Sequence, residues 1–479
     1  MAEFCSLNEN ETWTYCSKAP DSVRPIGCKW VYLLKTNPDG SQRFKARLVI
    51  KGYEQTEIAL STIHGWEIDH MDVVTAFLNP PVNNDIYMYL PEGIDWLDPT
   101  KPANITICKL NKALYRLKEA PWLWYHHIDE FLQSINFQKS TNDPNLYQST
   151  DGELLLILYV DDLLLASKSR SHIDKAKQHL HKRYRMNDLG PARRFLGLEI
   201  ESLPDGHLRL HQTQFIAKVL HRFNMKQCNG AQTPMETSQK LLPVQPSDRL
   251  VEPREYQSLV GSLMYLAVGT RPNIAYTVAV LNKFNVKPTE NHFLAAKRLL
   301  RYLKQTTSLA LVYSPANSLV GYTDSDFAGD IGDRKSTSGY VLILANAAIS
   351  WRSKKQTLVS LSSTEAEYVG CSEAAREAIW LQRLYHEITT KNSKVDKPAI
   401  QLLLSDSQGA ISLTETPRFH NRTKHIAVKY HFVRDSCATG SIHLEHIPTT
   451  QMTADIMTKA LPRDTHQRHV LSMGLQEIS

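Results

Sequence analysis

The chain is predicted to be a multidomain α+β or α/β protein, and three observations carry that prediction. Strand-like and amphipathic helical segments alternate along most of its 479 residues, the mixed order expected of layered α/β and α+β folds. Two adjacent carboxylates, Asp161 and Asp162, interrupt an apolar run from Leu154 to Ala166. A second, ordered set of acids follows later in the chain: Asp324, Glu365, Asp406 and Asp455. The length suits two or three domains, and 42% hydrophobic with 22% charged residues is ordinary for a globular protein.

The elements can be taken in order. Lys29-Trp30-Val31-Tyr32-Leu33-Leu34-Lys35 reads as a strand entering the turn Asn37-Pro38-Asp39-Gly40, with Arg43 to Lys51 returning as its hairpin partner. Trp122 to Leu132 has helical periodicity. The run around Asp161 is too short and too charged for a membrane span, which needs roughly 18 apolar residues. It reads as a strand, a tight turn at Asp161-Asp162 and a returning strand. Residues 168–185 read as a basic helix, with Lys168, Arg170, Lys175, Lys177, Lys182, Arg183 and Arg185 against the single acid Asp174. A hairpin is expected around Pro204-Asp205-Gly206, and residues 235–255, rich in Pro, Ser and Gln, read as a linker. From Tyr256 the pattern is helical; Lys297, Arg301 and Lys304 fall on one helix face, which serves solvent or nucleic acid equally well. The last domain, from about residue 317, is expected to hold strands Ser318–Thr323, Ser338–Leu344 and Ala348–Arg352. Helix Ser363–Ile388, strand Ala399–Ser405 and a helix from Ser407 complete it.

The bulk chemistry narrows the function classes. A net charge of +6 and pI of about 8.7 are compatible with nucleic acid without proving it. The seven cysteines are scattered, odd in number and never in a Cys-x-x-Cys pair, which argues against a disulfide framework or zinc module and for a reducing compartment. The N-terminus lacks the charged and apolar regions of a signal peptide.

The acids point to metal chemistry. An ionised carboxylate in an apolar setting is costly, and a second beside it adds repulsion. A divalent cation is the natural partner for Asp161-Asp162; the alternative is an Asp-rich turn. Downstream, Asp324 and Asp406 end strands, and Glu365 and Asp455 lie near helix starts. Singly, each suits a cap or a helix dipole. Together, four carboxylates can converge on two divalent metals and drive phosphodiester hydrolysis.

A longer series of motifs then follows in a fixed order. It runs Lys29-Trp30-Val31, Lys45-Ala46-Arg47-Leu48-Val49, Met71-Asp72-Val73-Val74-Thr75-Ala76-Phe77-Leu78-Asn79 and Tyr159-Val160-Asp161-Asp162. It continues with Phe195-Leu196-Gly197, Gly261 to Leu266, Thr270-Arg271-Pro272, Arg334 to Gly339, Ser362 to Tyr368 and Arg422-Thr423-Lys424-His425-Ile426. In this order they resemble the reverse transcriptase–ribonuclease H portion of a copia-type LTR-retrotransposon Pol polyprotein, over nearly the whole chain.

The resemblance implies a right-hand polymerase of fingers, palm and thumb over residues 1–235 and a linker with helical connection over 236–315. A ribonuclease H-like domain with a mixed five-stranded sheet would fill 316–479. Asp72 and Asp161 would be the principal polymerase metal ligands, with Asp162 closing the acidic patch. Phe77 would crowd the ribose 2′ position, and Lys45 and Arg47 would hold the incoming triphosphate. Asp324, Glu365, Asp406 and Asp455 would be the ribonuclease H acids. Each site would take two Mg²⁺ (or Mn²⁺). The implied partners are an RNA template, a DNA primer, the RNA–DNA hybrid and deoxynucleoside triphosphates, with basic stretches 168–185, 297–304 and 418–434 tracking phosphates. The implied location is cytoplasmic, in a virus-like particle, or nuclear, not secreted or membrane-bound. Protease and integrase would lie upstream, so the chain reads as the C-terminal portion of such a polyprotein.

The chain also departs from the family pattern. After Gln55, Thr56-Glu57-Ile58-Ala59-Leu60 runs almost directly into Trp66-Glu67-Ile68-Asp69, so a piece of the fingers is expected to be missing. Arg116, Glu119 and Trp122 stand where the family usually has Gly, Gln and Arg. Asn79-Pro80 replaces an Asn-Gly turn, and Asn273 replaces the usual Asp. Two readings follow: an active two-site enzyme, or a degenerate or repurposed copy that binds nucleic acid and retains at most ribonuclease H activity.

Overall fold

A computed structural model describes residues 7, 10–20, 25–26, 35–36, 42–43, 54–98, 100–102, 104–238, 240–316, 318–390, 401–415 and 427–478. Most of the expected first hairpin, with its turn and with Lys45 and Arg47, lies outside them. So does the start of the basic stretch 418–434. The chain divides into two compact units: Met1–Ile50 with Glu67–Pro191, and Lys51–Trp66 with Ala192–Ser479. Among the described residues no helix is long and apolar enough to cross a membrane.

The first unit is built on a six-stranded antiparallel sheet. Its strands are β1 (Glu67–Val73), β2 (Phe137–Lys139), β3 (Leu146–Ser149), β4 (Leu154–Tyr159), β5 (Asp162–Ser167) and β6 (Met186–Pro191), in the spatial order β6-β1-β5-β4-β3-β2. Two helices, α1 (Ala120–Ser134) and α2 (Arg170–Arg183), supply the facing layer. The two-residue period of a strand sends Leu154, Leu156 and Leu158 of β4 and Leu163 and Leu165 of β5 to one side. There they meet Trp124, Ile128 and Leu132 of α1 and Ile173 and Leu180 of α2. Leu155 and Leu164, on the opposite face, are buried as well, which explains why this hairpin is apolar at nearly every position. The turn falls at Val160-Asp161, not at the expected Asp161-Asp162. Tyr159 and Asp162 pair, so Asp162 is already the first residue of the return strand.

The basic helix is observed as α2, but two of its cations are structural. Arg170 donates two hydrogen bonds to buried Asp69 (2.8 and 2.7 Å), and Lys177 pairs with both Asp69 and Asp188. Burial pushes the Asp69 carboxyl up, but the bonds from Arg170 and Lys177 outweigh it and hold it below the ordinary range.

Among the described residues, the second unit contains two five-stranded sheets. The first is antiparallel: β7 (Arg194–Phe195), β8 (Leu198–Ser202), β9 (Leu208–His211), β10 (Leu309–Tyr313) and the C-terminal strand Leu475–Glu477, in that order. Beside it lies a helical core drawn from α3 (Thr213–Arg222), α4 (Pro253–Gly269), α5 (Ala275–Asn282) and α6 (Glu290–Gln305). The expected face of Lys297, Arg301 and Lys304 is largely engaged within the protein. Arg301 and Lys304 donate to the carbonyls of Asn229 and Cys228 (2.8 and 2.6 Å), and Lys297 lies over the Phe293 ring.

The second sheet is mixed: β11 (Val320–Ser325), β12 (Thr337–Leu344), β13 (Ala347–Lys355), β14 (Gln401–Ser405) and β15 (Ile442–His446), ordered β13-β12-β11-β14-β15. The first three strands are antiparallel, and β14 and β15 join in parallel. The long helix α7 (Ser363–Thr390) packs on β11 and β12.

One boundary expectation is corrected. A division at residues 235 and 316 would cut the antiparallel sheet, because β9 pairs with β10 across a hundred residues. The segment that follows the expected gap in the fingers is folded. Glu54–His64 forms a helix of the second unit, with Ile58, Ala59 and Leu60 buried and the Gln55 side-chain amide donating to the Gly269 carbonyl (2.8 Å).

Candidate active sites

In the first unit the strand register assembles the acids. Asp72 of β1 lies directly opposite Asp162 of β5, so their side chains share one face of the sheet. The turn that carries Asp161 is pinned twice. The Trp124 indole N–H donates to the Val160 carbonyl (2.5 Å), and the Val73 N–H donates to the Asp161 carbonyl (2.7 Å). Val160 sits at φ +57°, a left-handed conformation that a β-branched residue adopts only where its surroundings force it. Asn187 of β6 donates to the Asp72 carboxylate (3.0 Å), and buried Asp162 lies 3.0 Å from His70 Nε2. Phe77 sits in the 3₁₀ turn Ala76–Leu78, with its ring edge-on to Tyr115 at 5.4 Å.

Nearby, Arg116 holds φ +76°, a left-handed conformation that favours glycine. Arg116→Gly is therefore expected to stabilise the first unit by up to about 1 kcal/mol. Urea unfolding checks it: a clear loss of stability would mean the left-handed turn is not strained. Glu119 precedes α1 and accepts a hydrogen bond from Asn84 (3.4 Å).

The second unit gathers its acids more tightly. Ligand oxygens of Asp324, Asp406 and Asp455 all lie within 4.8 Å of one another; no other set of three or more His, Cys, Asp or Glu among the described residues does so. Asp72, Asp161 and Asp162 are thus neighbours by register but not drawn into one cage. The convergence in the second unit follows from topology. β11 and β14 are adjacent and parallel, so Asp324, near the end of one, and Asp406, just past the end of the other, reach the same edge. Asp455 arrives on the 3₁₀ turn Thr453–Met457, which packs against β11 and β12.

The helix acid must be reassigned. Glu365 was expected to join the set, but its carboxylate accepts the Leu361 N–H (2.6 Å), while its own N–H donates to the Ser362 hydroxyl (3.2 Å). It caps the start of α7. Glu367, two residues on and so roughly opposite around the helix, turns to the site instead and accepts the Ser325 N–H (3.0 Å). Gly370 makes this approach close: a Cβ there would meet the Ser325 hydroxyl at 2.4 Å. The pattern Ser362-x-x-Glu365 is a capping-box signature, and it was the signal that separates the two glutamates.

Burial pushes the Asp324 carboxyl up to about 6, with Asp455 and Asp406 adding to it and Lys459 and Thr458 opposing. Glu367 is pushed up to about 9 by burial and by the charges of Asp324 and Asp406. Asp455 is raised by burial and by Asp406, against its pairing with Lys459. Converging, desolvated carboxylates of this kind suit a hard divalent cation with oxygen ligands.

Comparison with known proteins decides the family. The family described as "Reverse transcriptase (RNA-dependent DNA polymerase)" matches residues 10–58 and 56–237. The Pol polyprotein from transposon TNT 1-94 of Nicotiana tabacum is 38% identical over 96% of the chain, and that from transposon RE1 of Arabidopsis thaliana is 36% identical over 98%. A transposon Ty5-1 protein of Saccharomyces cerevisiae is 37% identical over 64% of the chain and is covered in full. The chain belongs to the reverse-transcriptase family of copia-type transposon Pol polyproteins. It spans about a third of the two plant polyproteins, 36% and 33% of their lengths. The break in the reverse-transcriptase match at residues 56–58 coincides with the helix Glu54–His64, the point where the chain departs from the family pattern.

Proposed function

We propose that the chain is an RNA-directed DNA polymerase with a separate ribonuclease H centre that cuts the RNA strand of an RNA–DNA hybrid. The observation that carries this reading is the pair of acid sets in two distinct units: Asp72 and Asp162 in register beside Asp161, and Asp324, Asp406 and Asp455 converging beside Glu367. On this reading the six-stranded sheet is the palm. Asp72, Asp161 and Asp162 would hold Mg²⁺ or Mn²⁺ there, and the four acids of the mixed sheet would do so in the ribonuclease H centre. When bound, such ions activate the attacking oxygen and stabilise charge on the leaving group. The chain's own residues do the positioning. Trp124 and Val73 fix the turn that aims Asp161, Asn187 orients the Asp72 carboxylate, and Phe77, backed by Tyr115, narrows the space for the incoming sugar. RNA template, DNA primer and deoxynucleoside triphosphates are the substrates.

A second reading keeps only the ribonuclease H centre active. Three observations favour it: the first acid set does not close to the same 4.8 Å, Asp162 faces His70, and Glu119 adds an anion where the family has Gln. One experiment separates the two. Primer extension on an RNA template with Mg²⁺ is run beside cleavage of a labelled hybrid. The two-site enzyme extends the primer, and Asp161→Asn abolishes extension while sparing cleavage. Absence of extension by the parent chain sinks the polymerase half and leaves the second reading.

A further inference from the structure

We propose that Lys459 is an internal counter-ion of the second acid set and competes with divalent metal for it, so that its ammonium sets how much metal the centre needs. The inference rests on the reading of Asp324, Asp406 and Asp455 as metal ligands. Lys459 Nζ lies 2.9 Å from Asp455 Oδ1 and 3.9 Å from Asp324 Oδ2. These two acids belong to the trio whose oxygens lie within 4.8 Å of one another. A single ammonium thus stands against the carboxylates that a divalent cation would use.

The backbone holds it there. The Lys459 N–H donates to the Asp455 carbonyl (3.1 Å), the Thr458 N–H donates to the same carbonyl (3.1 Å), and the Thr458 hydroxyl donates to Asp324. Residues 455–459 therefore wrap the Asp324 carboxylate, and the one turn between Asp455 and Lys459 makes their pairing local. The lysine side chain is 42% exposed, so it has an open route out of the site when displaced. A lysine is suited to this role, since its ammonium is a compact point charge on a flexible stem that can leave as readily as it enters. Without metal it offsets repulsion among the acids. With metal it must move away, and that displacement weakens metal binding.

The test is a Mn²⁺ titration of the full chain by calorimetry, with the Asp406→Asn isotherm subtracted to isolate the site that depends on Asp406. Lys459→Met and Lys459→Gln are expected to tighten that site roughly tenfold or more, because a positive charge a few ångströms from the ion is removed. Lys459→Arg, which keeps the charge, leaves it near the parent value. In thermal melts, the Met and Gln variants start lower without metal and gain more on adding Mn²⁺. Unchanged or weaker Mn²⁺ binding in the Met and Gln variants overturns the inference, as does equal tightening by Arg. If the parent shows no Mn²⁺ binding that depends on Asp406, the reading of the trio as metal ligands fails, and the inference fails with it.

Discussion

Asp406→Asn is expected to abolish hybrid cleavage, leave primer extension at the parent level and raise the melting temperature of the second unit in the absence of metal. The loss of cleavage is expected to be roughly 10³-fold or more, on the order of 4 kcal/mol of transition-state stabilisation. The gain in stability has the same origin. Asp324 and Glu367 carry carboxyls pushed up by burial and by neighbouring charge, Asp406 among them. A raised carboxyl binds its proton more tightly in the folded state than in the unfolded one. Its contribution is fully present at low pH. It is lost as pH rises from 3.8 through about 6 for Asp324, and from 4.5 through about 9 for Glu367. At pH 8 the metal-free unit is therefore under electrostatic load, and removing one negative charge relieves part of it, about 1–2 kcal/mol or about 2–4 °C. Differential scanning fluorimetry at pH 5.5 and pH 8, with and without Mg²⁺, checks it. The parent should gain more from Mg²⁺ at pH 8 than at pH 5.5, and Asp406→Asn should gain little at either. A variant that is less stable than the parent without metal at pH 8 contradicts the account.

The second large effect is structural and belongs to the first unit. Asp69→Leu is expected to cost about 3–5 kcal/mol, because it sets an apolar side chain against the buried Lys177 ammonium and takes away the carboxylate that Arg170 also pairs with. Asp69 is 1% exposed and Lys177 5%, so in the variant Lys177 cannot replace the lost carboxylate with water without the strand and helix separating. Lys177 keeps Asp188, and Arg170 keeps Glu67 and Asp174, which places the loss toward the lower end. Adding Lys177→Met to Asp69→Leu should return part of the stability, since the abandoned charge is then gone as well. Chemical denaturation followed by circular dichroism measures both. If the double variant is no better than the single one, the cost comes from packing of β1 against α2, not from the buried charge. The depressed Asp69 carboxyl also sets a pH signature. Its stabilisation is present above the ordinary Asp range and is lost as pH falls through its lowered folded value.

Much of the local order was legible because short-range physics determines it. The apolar run around Asp161-Asp162 had to be a hairpin, and the strands and helices of the last domain fall within a few residues of their expected limits. The turn slipped by one residue because a two-residue hairpin is defined by which residues pair across it, Tyr159 with Asp162, and pairing is not a local property. The basic stretches read as nucleic-acid surfaces because charge is visible in a sequence and its partner is not. Asp69 lies a hundred residues before Arg170, and the carbonyls of Cys228 and Asn229 leave no compositional mark.

The sequence by itself determined the family, the α/β character and the three acids Asp324, Asp406 and Asp455 that the fold brings together, since ordered motifs and residue periodicity survive without coordinates. Only the tertiary structure decided which acids meet. Glu365 and Glu367 sit two residues apart, but a helix turns about 100° per residue, so one caps α7 and the other reaches Asp324 and Asp406. It also decided that Lys459 stands among those acids and that the helix Glu54–His64 belongs to the second unit. Those facts depend on strand order and on packing between distant segments, where the free energy of burial, not local propensity, makes the choice.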